Sequence, residues 1–140
     1  MIKIFTRVTQ FWFAAWLLIF GLNYWCDFVP QPLGIKSRYL HIALIDSGLF
    51  AVGKVTDVVV GICLLVNRFV PVALVLSVPV IFNIAWIHFV IEGPHPSGYF
   101  LVFCQIYLLF AYLPYYVSML TPKADSLERF TWAELRSRIV

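Results

Sequence analysis

Four apolar stretches, each about as long as a membrane-spanning helix, dominate the sequence and leave little room for any other fold. They cover residues 8–28, 49–67, 69–91 and 99–120. A helix needs about 20 predominantly apolar residues to cross the hydrocarbon core of a bilayer. Only 12% of the residues are charged, whereas about 25% is usual in soluble domains. The sequence therefore predicts a single all-α domain over residues 1–140, an integral membrane four-helix bundle.

The segment after the fourth stretch has a different composition. Residues 121–140 contain seven charged side chains, interspersed with Phe130, Trp132 and Leu135. Basic and aromatic residues mixed in this way are typical of helices that lie in the membrane interface. We expect a short amphipathic C-terminal tail on the membrane surface.

The basic residues outside the stretches are unevenly distributed between the two sides of the predicted bundle. Four crossings place both chain ends on the same side. The basic residues on that side are Lys3, Arg7, Arg68, Lys123, Arg129, Arg136 and Arg138. Lys36 and Arg38 lie on the other side. Because cytoplasmic loops carry an excess of Lys and Arg, both termini are predicted to be cytoplasmic.

The second stretch carries two charges inside an otherwise apolar segment. Each charged side chain at the centre of a bilayer costs roughly 2.5–3.5 kcal/mol on insertion scales. Lys54 and Asp57 are three residues apart, so they are neighbours on a helix surface and can pair. Gly53 and Gly61 lie four residues to either side of Asp57. Small residues allow close helix approach, so we expect this face to be turned into the bundle.

Depth along the helices predicts a polar cluster in the outer half of the bundle. At a rise of about 1.5 Å per residue, six polar side chains from all four stretches fall at similar levels, while the inner half contains almost none. The six residues are Asn23, Lys54, Asp57, Asn83, His88 and Gln105. Two interpretations are open: a polar pocket that faces outward, or a hydrogen-bonded plug that holds the helices in register.

The third stretch poses a geometric problem for this cluster. Asn83 and His88 are five residues apart, which separates them by about 140° around a helix. Without a bend at Pro79, which is expected to kink the helix, only one of them can face Asp57. The other is expected to point toward lipid, a groove or another chain.

The sequence does not identify a catalytic residue, and no metal site is predicted. The histidines and cysteines lack a helical ligand pair such as His-x-x-x-His, and the three cysteines form no Cys-x-x-Cys motif. A net charge of +3 is small, and no nucleic-acid partner is expected.

The order of several short motifs resembles the DoxX-like family of small four-helix bacterial membrane proteins. The motifs are Gly21-Leu22-Asn23, Phe28-Val29-Pro30, Pro32, Ser47-Gly48, Gly53-Lys54-Val55-Thr56-Asp57, the run 61–71 from glycine to proline, Pro79, Asn83 and His88. The resemblance covers about residues 8–120 and leaves the tail uncovered. One departure is that the family commonly has glutamate where this chain has Asp57, which keeps the charge but shortens its reach.

The resemblance implies a four-helix bundle in a bacterial inner (cytoplasmic) membrane. Relatives are associated with quinone-linked oxidation of sulfur compounds, often as one subunit of a larger assembly. Two functions are therefore predicted. The first is an accessory or scaffold subunit of a larger membrane complex, with the bilayer and other membrane subunits as partners. The alternative is a quinone-linked membrane oxidoreductase component that uses the outer polar pocket, with a quinone or a lipid as the ligand. In that alternative His88 and Asp57 exchange protons with a quinone head group, and Lys54 stabilises a developing anion.

Overall fold

The computed structural model describes residues 2–30, 35–93 and 96–117. The described residues form helices and connecting turns. The helices are α1 (Ile2–Cys26), α2 (Arg38–Asp46), α3 (Leu49–Val66), α4 (Val70–Trp86), a π-helical turn (Ile87–Ile91), α5 (Pro96–Ala111) and α6 (Leu113–Val117). The predicted all-α class is confirmed. The predicted tail, residues 121–140, lies outside the described residues.

Three helical segments are long and apolar enough to cross a membrane. They are α1 with 25 residues, α3 with 18, and α4 together with its π turn with 22, which correspond to about 37, 27 and 33 Å. The hydrocarbon core is about 30 Å thick. The chain is therefore a multi-pass membrane protein.

The fourth predicted stretch is not one continuous helix in the described part of the chain. α5 has 16 residues and is about 24 Å long, and a turn at Tyr112 separates it from α6. Pro114 explains the interruption, since proline lacks the N–H that would continue the helical hydrogen bonding. Residues 118–120 lie outside the described residues, and a fourth membrane crossing over residues 99–120 stays a prediction.

The tight turn between α3 and α4 relies on two residues in the left-handed conformation. Asn67 has φ 57° and Phe69 has φ 56°. Asparagine adopts this region more readily than most residues, and its N–H closes the end of α3 on the Leu64 carbonyl. Pro71 lies in the first turn of α4, where its missing N–H does no harm. The short connection makes α3 and α4 antiparallel neighbours.

The four long helices form a closed ring in the order α1, α3, α4, α5 and back to α1. Its interior is filled by fully buried apolar side chains, among them Phe13 from α1, Val60 from α3, Leu74 from α4 and Leu108 from α5. The outer surface exposes many large apolar side chains, such as Phe110, which is 69% exposed. That pattern suits contact with lipid, and it places any polar group on the outer surface in an unfavourable environment.

Candidate functional site

The central polar group of α3 is the Lys54–Asp57 pair. The Lys54 ammonium lies 3.6 Å from Oδ2 of Asp57, as expected for residues three apart on a helix. The Lys54 side chain is 14% exposed, that of Asp57 only 3%. The ammonium also lies 5.2 Å from the centre of the Phe50 ring, within the range of a cation–π contact. The predicted pairing is present, and Lys54 is the partner nearer the surface.

Of the two side chains in this pair, Asp57 has the polar atom to which no described residue donates a hydrogen bond. Among the described residues, its Oδ1 atom is buried and accepts no hydrogen bond. A buried carboxylate depends on paired charge and hydrogen bonds for its stability. Asp57 therefore relies on Lys54 for its charge compensation within the described part of the chain.

Two of the glycines near Asp57 explain how α1 comes so close to it. A Cβ atom added at Gly21 would lie 3.1 Å from the Asp57 Cβ and 2.9 Å from a Val58 methyl group. A Cβ added at Gly61 would lie 2.6 Å from Leu18 Cγ. Gly53, by contrast, has open space around it. The predicted glycine face is thus a helix contact at Gly61 and Asp57 but not at Gly53.

Asn23 is occupied by the turn that ends α1. It is buried, its Nδ2 donates to the Val29 carbonyl at 2.8 Å, and its Oδ1 accepts from the Val29 N–H at 2.6 Å. Both ends of the side-chain amide are therefore bonded to one backbone unit. This two-point contact fixes the chain just before Pro30 and gives Asn23 a structural role.

Gln105 ties α5 to α4. Its Oε1 accepts a hydrogen bond from the Ser77 hydroxyl at 2.9 Å, and its Nε2 donates to the Leu74 carbonyl at 2.8 Å. Gln105 and Ser77 are both buried. Such interhelical bonds in membranes contribute about 0.6 kcal/mol on average. Gln105 therefore holds α4 and α5 in register, as the interpretation of the polar cluster as a hydrogen-bonded plug expects.

Asn83 and His88 face different surroundings, as their spacing predicts. His88 is half-buried and packs so closely on α5 that a Cβ added at Gly98 would lie 2.8 Å from the His88 Cβ. Asn83 lies on the exposed side of α4. α4 runs from Val70 to Trp86 with Pro79 inside it, and Asn83 remains on its exposed face. Asn83 is the member of the pair that points away from the bundle.

A second polar network links α1, the end of α3 and Tyr112 at the other end of the bundle, where almost no polar groups were expected. Gln10 is buried and its Nε2 donates to the Leu64 carbonyl at 2.6 Å and to Asn67 Oδ1 at 3.2 Å. The Tyr112 hydroxyl donates to Gln10 Oε1 at 2.7 Å. The expectation of an apolar inner half is therefore wrong. Gln10 lies within the first apolar stretch and Tyr112 within the fourth, so both were visible in the sequence.

A loop contact fixes the outer connection. The Ser37 hydroxyl, which is buried just before α2, donates to the Glu92 carboxylate at the end of the π turn. This bond ties the segment between α1 and α3 to the far end of the α4 segment. The polar side chains at this end of the bundle therefore brace loops as well as helices.

The arrangement as a whole favours structural ties over an assembled pocket. Six residues were predicted to form the cluster. Lys54 and Asp57 are in contact, Asn23 and Gln105 bond elsewhere, His88 packs on α5, and Asn83 points outward. Within residues 2–30, 35–93 and 96–117, there is no group of three His, Cys, Asp or Glu side chains that could hold a metal ion. Comparisons of the chain with protein-family models, curated proteins and solved structures found no match.

Proposed function

We propose that this protein is an accessory or scaffold subunit of a larger membrane complex, and that it contacts its partner through the exposed face of α4 around Asn83. The observation that carries the proposal is the position of Asn83: an amide on the outer surface of a membrane-spanning helix. Among the described residues, no hydrogen bond satisfies this side chain.

The depth of Asn83 makes its exposure costly in a lone bundle. It lies eight residues before Ile91, where the helical segment ends, and thus about 12 Å inside that end. An asparagine side chain is too short to reach the interface from there. Leaving an amide without hydrogen bonds in an apolar medium costs roughly 2–7 kcal/mol, depending on the reference state. A partner group that bonds to Asn83 removes this cost.

The surroundings of Asn83 suit a second helix. Phe82 and Trp86 flank it with stacked rings 6.3 Å apart, and they are 65% and 50% exposed. The π-helical turn follows directly at Ile87–Ile91, and such turns often occur at functional sites. The proposed partner of this face is a transmembrane helix of another subunit, with a hydrogen-bonding side chain opposite Asn83.

Replacing Asn83 with leucine tests this contact. Asn83→Leu is expected to leave the thermal stability of the isolated protein unchanged or raised, because an unsatisfied amide is removed from the surface. The same variant is expected to lose its co-purifying subunits after mild extraction. Val59→Leu, a substitution at an exposed position of α3, is the matched control and retains them. If Asn83→Leu kept the same large subunits as the wild type, the α4 contact would be ruled out.

The DoxX-like resemblance supports the same proposal, since relatives often act within larger assemblies, and it supports placement in a bacterial inner membrane. The excess of Lys and Arg on one side supports an orientation with both termini cytoplasmic. The quinone-linked alternative, whose chemistry rests on His88, Asp57 and Lys54, stays a prediction. Two other residues of the pocket, Asn23 and Gln105, are hydrogen-bonded within the protein.

The orientation is tested by cysteine accessibility in intact cells, in a background without native cysteines. Ile35→Cys, at a position 91% exposed, is expected to react with an impermeant thiol reagent added outside. Lys3→Cys is expected to react only after the cells are opened. If α5 and α6 complete a fourth crossing, Val117→Cys is also expected to react only after the cells are opened. Labelling of position 3 from outside would reverse the proposed orientation.

A further inference from the structure

A groove lies between the N-terminal part of α1 and the C-terminal end of α3, and α4, which carries Asn83, does not line it. It has a volume of about 450 Å³. Val8, Phe11 and Leu65 form its apolar wall, and all three are also partly exposed to the surrounding membrane. A groove with this wall is continuous with the lipid phase.

The polar part of the groove offers hydrogen-bond donors. Arg7, Trp12 and Asn67 all line it, and no acidic residue is among its lining residues. Arg7 contributes a guanidinium and Trp12 an indole N–H, neither of which can accept a hydrogen bond. Asn67 accepts the Gln10 bond with its Oδ1, and within the described residues its Nδ2 takes part in no hydrogen bond. The ligand that complements this lining is an anion.

The level of these donors matches that of lipid headgroups. Arg7 lies five residues inside the start of α1 at Ile2, which is about 8 Å along the helix. Asn67 immediately follows the last residue of α3. Arg7 and Asn67 therefore lie near the ends of two spanning helices, beside an apolar wall that continues into the membrane. Basic pockets between transmembrane helices bind the anionic headgroups of lipids.

We infer that this groove binds the headgroup of an anionic phospholipid, with the phosphate against Arg7 and Asn67 and the acyl chains along Val8, Phe11 and Leu65. Arginine suits the phosphate because its planar guanidinium can donate two parallel hydrogen bonds. The buried Gln10 network holds Asn67 at the mouth of the groove. The inference is independent of the proposed α4 contact, since it uses α1 and α3.

The test measures phospholipid binding to the purified full-length protein by native mass spectrometry. Dioleoyl phosphatidylglycerol is titrated against dioleoyl phosphatidylcholine, at a salt concentration high enough to screen distant charges. The wild type is expected to prefer phosphatidylglycerol. Arg7→Gln is expected to weaken that binding about tenfold, the size of a lost charge-assisted contact. Lys3→Gln removes the same charge near the same end but outside the groove, and a change of less than about twofold is expected.

Leu65→Trp is a second variant, which tests the groove even if Arg7→Gln does not fold. Leu65→Trp fills the groove without changing the charge, and it is expected to abolish the preference for phosphatidylglycerol. Inorganic phosphate at millimolar concentration is expected not to displace the lipid, because it makes no use of the apolar wall. The inference is overturned if the wild type shows no preference, if Lys3→Gln weakens binding as much as Arg7→Gln, or if free phosphate competes.

Discussion

Lys54→Met is expected to destabilise the bundle by about 3–5 kcal/mol, the cost of leaving a buried charge without its partner. The effect is large because Asp57 is 2% exposed and, among the described residues, has no second partner for its carboxylate. The free energy of unfolding in mixed detergent titrations measures it. Asp57→Asn is expected to cost less. It leaves behind Lys54, a long side chain near the start of α3 that can redirect its ammonium toward the interface.

A variant that carries both substitutions is the control for the difference expected between Lys54→Met and Asp57→Asn. Replacing a whole buried ion pair by hydrophobic residues of similar volume is often neutral or stabilising, and removing both charges together leaves neither charge unpaired. Lys54→Met combined with Asp57→Asn is therefore expected to recover most of the stability lost by Lys54→Met alone. Equal stability of Lys54→Met and the wild type would show that the pair does not hold Asp57 in place.

Gly61→Ala is expected to destabilise the protein by about 1–3 kcal/mol, the usual cost of overpacking a tight contact. The added methyl group would lie 2.6 Å from Leu18 Cγ and 3.1 Å from the Ala14 carbonyl oxygen. Because one of these atoms belongs to the backbone of α1, the helices must move apart to make room. Gly61→Val is expected to cost more, since its side chain extends further into α1.

Gly53→Ala is the matched control on the same helix. Gly53 has no heavy atom within 4 Å of an added Cβ, and alanine favours a helix over glycine by roughly 0.5–1 kcal/mol. The expected result is unchanged or slightly increased stability. If Gly53→Ala and Gly61→Ala had the same effect, the close approach of α1 at Gly61 would be contradicted.

The sequence was a good guide wherever composition or local spacing decided the outcome. Hydropathy predicted the helices, because a backbone in lipid must satisfy its own hydrogen bonds. The spacing of Lys54 and Asp57 predicted their pairing, since residues three apart are neighbours on any helix. The angular separation of Asn83 and His88 predicted that they face different surroundings. These features depend on the geometry of one helix at a time.

The polar pocket of six residues stays a prediction, because depth along a helix does not determine the direction in which a side chain points. Asn23 and Gln105 were placed at suitable levels, but Asn23 bonds to its own turn and Gln105 bonds to α4. Which neighbour a side chain meets depends on how each helix is rotated in the bundle, and a single sequence does not contain that rotation. Gln10 was overlooked for a related reason: its partners, Leu64 and Tyr112, come from helices distant in sequence.

Photo-crosslinking from position 83 in native membranes tests the central claim most directly. A photoreactive phenylalanine analogue there is expected to form an adduct with another membrane protein. The same analogue at position 62, where isoleucine on α3 is 50% exposed, is the control and is expected to react with lipid. A protein adduct specific to position 83 is the result that the proposal predicts. Lipid adducts alone at both positions, from a protein that also runs as a free monomer after mild extraction, would contradict it.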